Sequence, residues 1–203
     1  MITTTEPSRY VELDPAQSLW TAFHTLAPLV LIGTIEADGS PDVAPKHQAT
    51  PLGHGTLFGF VCSPAHATYR NTVATESFTV GMPTPEMVVA ASLAAGPRDT
   101  AGDKPTLDLL SLSPASAVDG VLVDGCRVHL ECRLERIVDD LGDSALIVGR
   151  VVAAFASPRA LLDSSDDQGE LLDTFPLLAY VHPGRVGAVH ETKEFPYHRG
   201  FHE

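Results

Sequence analysis

Residues 29–35 (LVLIGTI) form an apolar, β-branched run, and Ala37-Asp38-Gly39-Ser40 follows almost at once. An Asp-Gly pair between two extended segments is a strong hairpin signal, because the glycine accepts the positive φ that a tight turn imposes. The pattern predicts a strand over 29–35, a turn, and a second strand over 41–49. The rest of the chain continues in this style, with strands predicted over 56–62 and 77–82. In 128–135, Val128, Leu130, Cys132 and Leu134 alternate with His129, Glu131, Arg133 and Glu135, the signature of a half-buried strand. Residues 139–144 turn it back into an apolar run over 145–155, and shorter strands are expected at 175–181 and 186–189. The helices are short. A weak helical pattern covers 15–25, with Leu19, Trp20 and Phe23 near one face, and Pro28 ends it. Ser63 as cap and Pro64 at the first helical site open a helix over 65–74. Another runs from Thr84-Pro85-Glu86 to near Gly96, and a helical turn is expected around 107–112 inside a polar loop, 98–116. The acidic stretch 163–170 (DSSDDQGE) reads as a flexible insertion without a role. Many antiparallel strands and few helices predict a mainly β fold, a barrel with helical additions.

With 203 residues and no evident linker, the expectation is one domain over 1–203, with a core at 25–190, a lead-in at 1–24 and a tail at 191–203. Asp and Glu number 26 against 13 Lys and Arg, a net charge of −13. No basic stripe is present to neutralise phosphates, which argues against a nucleic-acid partner. The three cysteines form no CxxC pattern. Cys126 and Cys132 are expected on one strand with poor bridging geometry, so the count suits a reducing compartment. No basic, then apolar, leader is seen at the start, and no run of 18 apolar residues, so a cytoplasmic chain without a membrane span is expected.

Against this acidic background, residues 43–75 hold no Asp or Glu at all. At about one acid per eight residues, some four would be expected in that interval. It gathers instead Lys46, His47, His54, His66 and Arg70, with hydroxyls at Thr50, Ser63, Thr68 and Tyr69. An interval cleared of acids and filled with donors suits an anion. The helix predicted after Ser63 adds unpaired N–H groups and the positive end of its dipole, a natural phosphate seat.

The segments Lys46-His47-Gln48-Ala49-Thr50-Pro51 and His66-Ala67-Thr68-Tyr69-Arg70-Asn71, the latter leading into Ala74-Thr75-Glu76-Ser77-Phe78-Thr79-Val80, resemble the flavin-reductase-like proteins of the FMN-binding split-barrel fold. In that family a signature opening on a basic residue and closing on T-x-R-N precedes an A-T-x-x-F-x-V strand. The later CRVHLECRLERI and ALIVGRVVAAF are similar to the family's long hairpin, and the resemblance spans about 25–190. His66 stands where the basic residue is usual, which lowers the charge available to a phosphate at high pH.

The resemblance implies an antiparallel split β-barrel that pairs as a homodimer, with FMN at the subunit interface. It implies a flavin ring met by Lys46, His47, Gln48, Ala49 and Thr50, and a phosphate held by Ser63, His66, Thr68, Tyr69, Arg70 and Asn71. FAD is a possible replacement for FMN, and NAD(P)H the expected co-substrate of a flavin-dependent oxidoreductase. The alternatives are a flavin-binding electron carrier without catalysis, or a split-barrel enzyme of the pyridoxamine-phosphate-oxidase or deazaflavin kind. The cofactor carries the redox chemistry, so no dedicated catalytic acid is expected.

Plainer readings stand beside these. Arg70 is otherwise a surface arginine paired with an acid, Ser63 only a helix cap, and Asn71 a residue satisfying backbone groups. Cys62 precedes the helix, where a thiolate is stabilised, yet more simply closes a buried strand. His198 and His202 lie four apart, but Pro196 and Gly200 break a helix there and no third ligand is evident, so no metal site is expected. His190, Phe195, Tyr197 and Phe201 in the tail are candidates to cover the flavin.

Overall fold

The computed structural model describes residues 10–100, 102–162, 168–194 and 196. Its strands are β1 (Thr25–Pro28), β2 (Val30–Ile35), β3 (Pro41–Lys46), β4 (Ala49–Leu52), β5 (Leu57–Cys62), β6 (Ser77–Met82), β7 (Leu112–Pro114), β8 (Val121–Val123), β9 (Val128–Leu141), β10 (Ser144–Ala156), β11 (Leu177–His182) and β12 (Arg185–Val189). The α-helices are α1 (Ala67–Thr75), α2 (Val88–Leu93) and α3 (Gln168–Thr174). Seven strands build one antiparallel sheet in the order β3-β2-β6-β9-β10-β5-β4. A three-stranded sheet, β1-β11-β12, and the pair β7-β8 complete the pairing.

The sheet order explains the curl. Its two edges are β3 and β4, which are consecutive in the chain and joined only by His47 and Gln48. The three Cα–Cα steps from Lys46 to Ala49 span no more than about 11 Å. The sheet therefore bends round until its edges approach, giving a half-barrel whose edges meet at this seam.

The concave side holds Val30, Ile32, Phe58, Phe60, Phe78, Val80, Cys132 and Ile147, all buried. Phe60 meets Phe78 edge to face, with centroids 5.1 Å apart. The other side of β2 and β3 carries Leu31 and Val43 into a second core with Ala91, Ala94, Leu107, Leu110, Val121 and Val123. β2 is thus covered on both faces, which is why its sequence is continuously apolar and does not alternate.

Several sequence expectations shift. Residues 15–25 form no α-helix: Leu19–Thr21 is a single 3-10 turn, and Trp20 and Phe23 are exposed. Pro28 ends a strand that pairs with β11, because Thr25 to Pro28 reach a sheet edge that only the distant C-terminal hairpin supplies. The strand expected over 41–49 breaks at 47–48, where the chain changes edges. In 128–135, β9 runs between β6 and β10, and the expected polar face is split: Arg133 and Glu135 are exposed but His129 is half-buried. Glu131, expected on the polar face, is fully buried beneath residues 115–119. Cys126 lies before β9, not on it, and the three cysteines are free. Helix α3 begins inside the stretch read as an insertion; residues 163–167 lie outside the described residues, as do Phe195, Tyr197, His198, Phe201 and His202.

Candidate functional site

The seam and the start of α1 come together. β5 delivers the chain to Cys62, a turn over Ser63–His66 closes through the His66 N–H to Ser63 C=O bond at 3.0 Å, and α1 starts at Ala67. The N-cap is therefore His66, not Ser63, whose hydroxyl instead accepts the Ala65 N–H at 3.3 Å. His66 makes no side-chain cap bond, so it leaves the first-turn N–H groups of α1 without a capping acceptor.

Two clefts open here. One, of about 570 Å³, is lined by Lys46, His66, Thr68 and Arg70 together with Glu36, Asp42, Arg98 and Lys104. The other, of about 430 Å³, is lined by Lys46, His47, Gln48, Cys62, Ser63 and His66. Pro45, Lys46 and His66 are common to both, so the clefts adjoin.

The predicted residues divide accordingly. Lys46, His47, Gln48, Ser63, His66, Thr68 and Arg70 line one or both clefts. The Arg70 guanidinium donates to the Ala65 carbonyl, which holds it against the turn. Four others point elsewhere. Ala49 is buried in the concave core. The exposed Thr50 donates to the Pro51 carbonyl at 3.2 Å. Tyr69 donates to Asp139 at 2.9 Å, tying α1 to the long hairpin, and that bond raises the phenol's pKa. Asn71 is buried and donates to the Thr34 hydroxyl at 3.1 Å, tying α1 to β2.

The larger cleft has a clear charge balance. Arg98 pairs with Glu36 at 3.1 Å, and Lys104 with Asp42 at 2.7 Å, the latter pair nearly solvent-free. Arg98 also donates to the Pro41 carbonyl and Lys104 to the Val43 carbonyl, so both side chains are strapped to β3. Among the described residues Lys46 and Arg70 form no ion pair. Four cations against two carboxylates leave two positive charges facing the cleft from Lys, Arg, Asp and Glu alone.

Arg98, Lys104, Glu36 and Asp42 escape the sequence reading. Each cation is 62 positions from its acid, and nothing local marks the pairing. The acid-free interval also stops just short of Asp42.

The chemistry of the smaller cleft is muted. Burial pushes the Cys62 thiol up, against the opposing field of Lys46, and its Sγ lies 3.9 Å from His66 Nδ1. It stays a protonated, buried thiol. Burial first, then the charges of His182 and Lys46, lower the pKa of His47, which favours its neutral ring. Among the described residues no three His, Cys, Asp or Glu side chains are grouped to hold a metal ion, and no helix is long and apolar enough to cross a membrane.

Comparison with solved structures finds the same architecture. Flavoredoxin of Desulfovibrio vulgaris (Miyazaki F) superposes with a TM-score of 0.75 at 18% identity, covering 94% of this chain and 100% of that one. Nitrilotriacetate monooxygenase component B from Bacillus cereus gives 0.74 at 18% identity, covering 96% and 99%. A flavin-reductase-type split barrel protein from Shewanella frigidimarina NCIMB 400 gives 0.74 at 16%, covering 85% and 87%. At these identities the likeness establishes the fold, an antiparallel split β-barrel. No curated protein sequence matches the chain. The sequence model of the flavin reductase like domain matches residues 23–179, and the chain belongs to that family.

Proposed function

We propose that this chain is an FMN-binding oxidoreductase, an NAD(P)H-dependent flavin reductase or electron-transferring flavoprotein acting as a cytoplasmic homodimer. The observation that carries the reading is the charge of the larger cleft: two uncompensated cations, Lys46 and Arg70, beside the uncapped start of α1. A phosphate monoester carries close to two negative charges and wants N–H donors with at least one cation. The residues present fit such a group. Lys46, Thr68 and Arg70 would hold the phosphate, with the first-turn N–H groups of α1. The seam residues His47 and Gln48, with the wall of Val61 and Cys62, would receive the ring. The bound flavin supplies the hydride and electron chemistry; the protein binds and orients it. The solved relatives include a flavoredoxin and a monooxygenase component B, which is consistent with this reading.

The phosphate assignment has a direct test. Arg70→Ala weakens FMN binding by roughly 1–3 kcal/mol, the range for a charge-assisted contact, and leaves riboflavin binding nearly unchanged. Flavin fluorescence titrations of both ligands measure this, and equal losses for the two remove Arg70 from the phosphate. Steady-state oxidation of NADH and NADPH with added FMN tests the enzymatic part; turnover with neither leaves an electron carrier.

A further inference from the structure

A third cleft, of about 380 Å³, opens on the other side of His47 and is lined by Leu29, Pro45, His47, Val88, Ser92, Ala95, Tyr180, Gly184 and Val186. Pro45 also lines the two clefts already described, and His47 lines the ring-side one, so the three meet at the end of β3. Its character is different. The larger cleft holds four cations and two carboxylates; this one has no Lys, Arg, Asp or Glu in its lining. Its walls are Leu29, Val88 and Val186, and one side is a preset aromatic stack.

That stack is built by two distant segments, the seam and β11. The His47 ring lies on Tyr180 at 4.2 Å between centroids and 22° between planes. His182 lies beyond, with its ring 5.8 Å from His47. The Tyr180 hydroxyl accepts the Gly184 N–H at 2.9 Å, and the His182 carbonyl stands 3.0 Å from His24 Nδ1. The Tyr180 ring is thus held in place at its hydroxyl and the β11 backbone at His182, so ordering the Tyr180 face costs little when a ligand arrives. The lowered pKa of His47 keeps its ring uncharged near neutral pH.

We infer that this cleft seats a flat, uncharged conjugated molecule of one or two rings, of the quinone class, stacked on the His47–Tyr180 pair as the second substrate of the oxidoreductase. An uncharged apolar slot with an aromatic wall selects a neutral planar ring and excludes free phosphates and carboxylates, which lack a counter-charge there. The reaction balances: a quinone takes two electrons and two protons to become a hydroquinone, the reduced nicotinamide giving hydride and solvent the second proton. The substrate role rests on the flavin reading above; occupancy of the cleft does not.

Menadione binding to flavin-free protein, measured by equilibrium dialysis, tests the cleft without any turnover. Ser92→Trp, on the exposed side of α2, fills the cleft and abolishes menadione binding. Tyr180→Ala weakens it roughly tenfold, the loss of one aromatic contact. FMN affinity stays within about twofold in Ser92→Trp, since Ser92 lines neither flavin cleft. Unchanged far-UV circular dichroism confirms each variant's fold, and Val88→Trp serves as a second cleft-filling change. If menadione fails to bind the parent protein, or binds equally to the parent and both tryptophan variants, the inference is overturned. If FMN fails to bind while menadione binding follows this pattern, the flavin reading falls and the cleft assignment stands.

Discussion

Glu131 keeps a carboxylate where no water reaches it. Its side chain is fully buried, and its oxygens accept the Ser116 N–H at 3.0 and 3.1 Å, the Ser116 hydroxyl at 2.9 Å and the Ala117 N–H. Burial alone raises a carboxyl's pKa; here the donors of residues 116–118 outweigh it and hold Glu131 below its ordinary value. The folded pKa is depressed, so the contribution to stability is complete above the ordinary value of 4.5 and is lost as pH falls through the folded pKa. Glu131→Gln turns an NH₂ toward N–H donors. It is expected to lower stability by about 2 kcal/mol, seen as a lower urea midpoint at unchanged m, and to flatten the acid limb of the stability profile.

At the scale of elements, close packing between β2 and the β7–β8 pair depends on one missing side chain. A Cβ at Gly33 would overlap the Val121 carbonyl and the Thr79 hydroxyl, which itself donates to that carbonyl. The obstacle is backbone and cannot swing aside. Gly33→Ala is therefore expected to destabilise by about 1–3 kcal/mol. Gly187→Ala on β12, where a Cβ meets nothing within 4 Å, is expected to stay within about 0.5 kcal/mol. Chemical denaturation of the two variants side by side checks the contrast. Helix α1 is fixed in a comparable way, by Asn71 to Thr34 on one side and Tyr69 to Asp139 on the other. Two residues expected to touch a ligand thus hold the helix whose first turn faces the cleft.

Across the whole molecule, the seam gathers what the chain keeps apart. Consecutive edge strands force the sheet to close on His47 and Gln48, and the C-terminal hairpin brings Tyr180 and His182 against them. Burial, then His182 and Lys46, depress the His47 pKa from 6.5. The unfolded chain binds that proton first, so stability at the seam is present above the ordinary value and falls as pH drops toward the folded one. His47→Gln is expected to show a shallower loss of thermal midpoint between about pH 7 and 5 than the parent protein. An equally steep loss in the variant assigns the acid sensitivity elsewhere.

The sequence by itself determined the local pieces. The Asp38-Gly39 turn, the apolar runs that became β2, β5, β6 and β10, and the acid-free interval are patterns of neighbours, set by dihedral preference and side-chain periodicity. The T-x-R-N resemblance led to the right family. Only the tertiary structure decided which edges meet, that Arg98 and Lys104 are paired within the cleft, that Glu131 is buried under the 115–119 segment, and that Tyr180 stacks on His47. The reason is separation: Arg98 and Lys104 each stand 62 positions from their acids, and the seam belongs to the sheet order, not to any one segment. Local preference chose Ser63-Pro64 as a helix start, and the turn closed by the His66 N–H displaced it. Contacts between distant segments depend on how strands are ordered, and no short-range preference encodes that order.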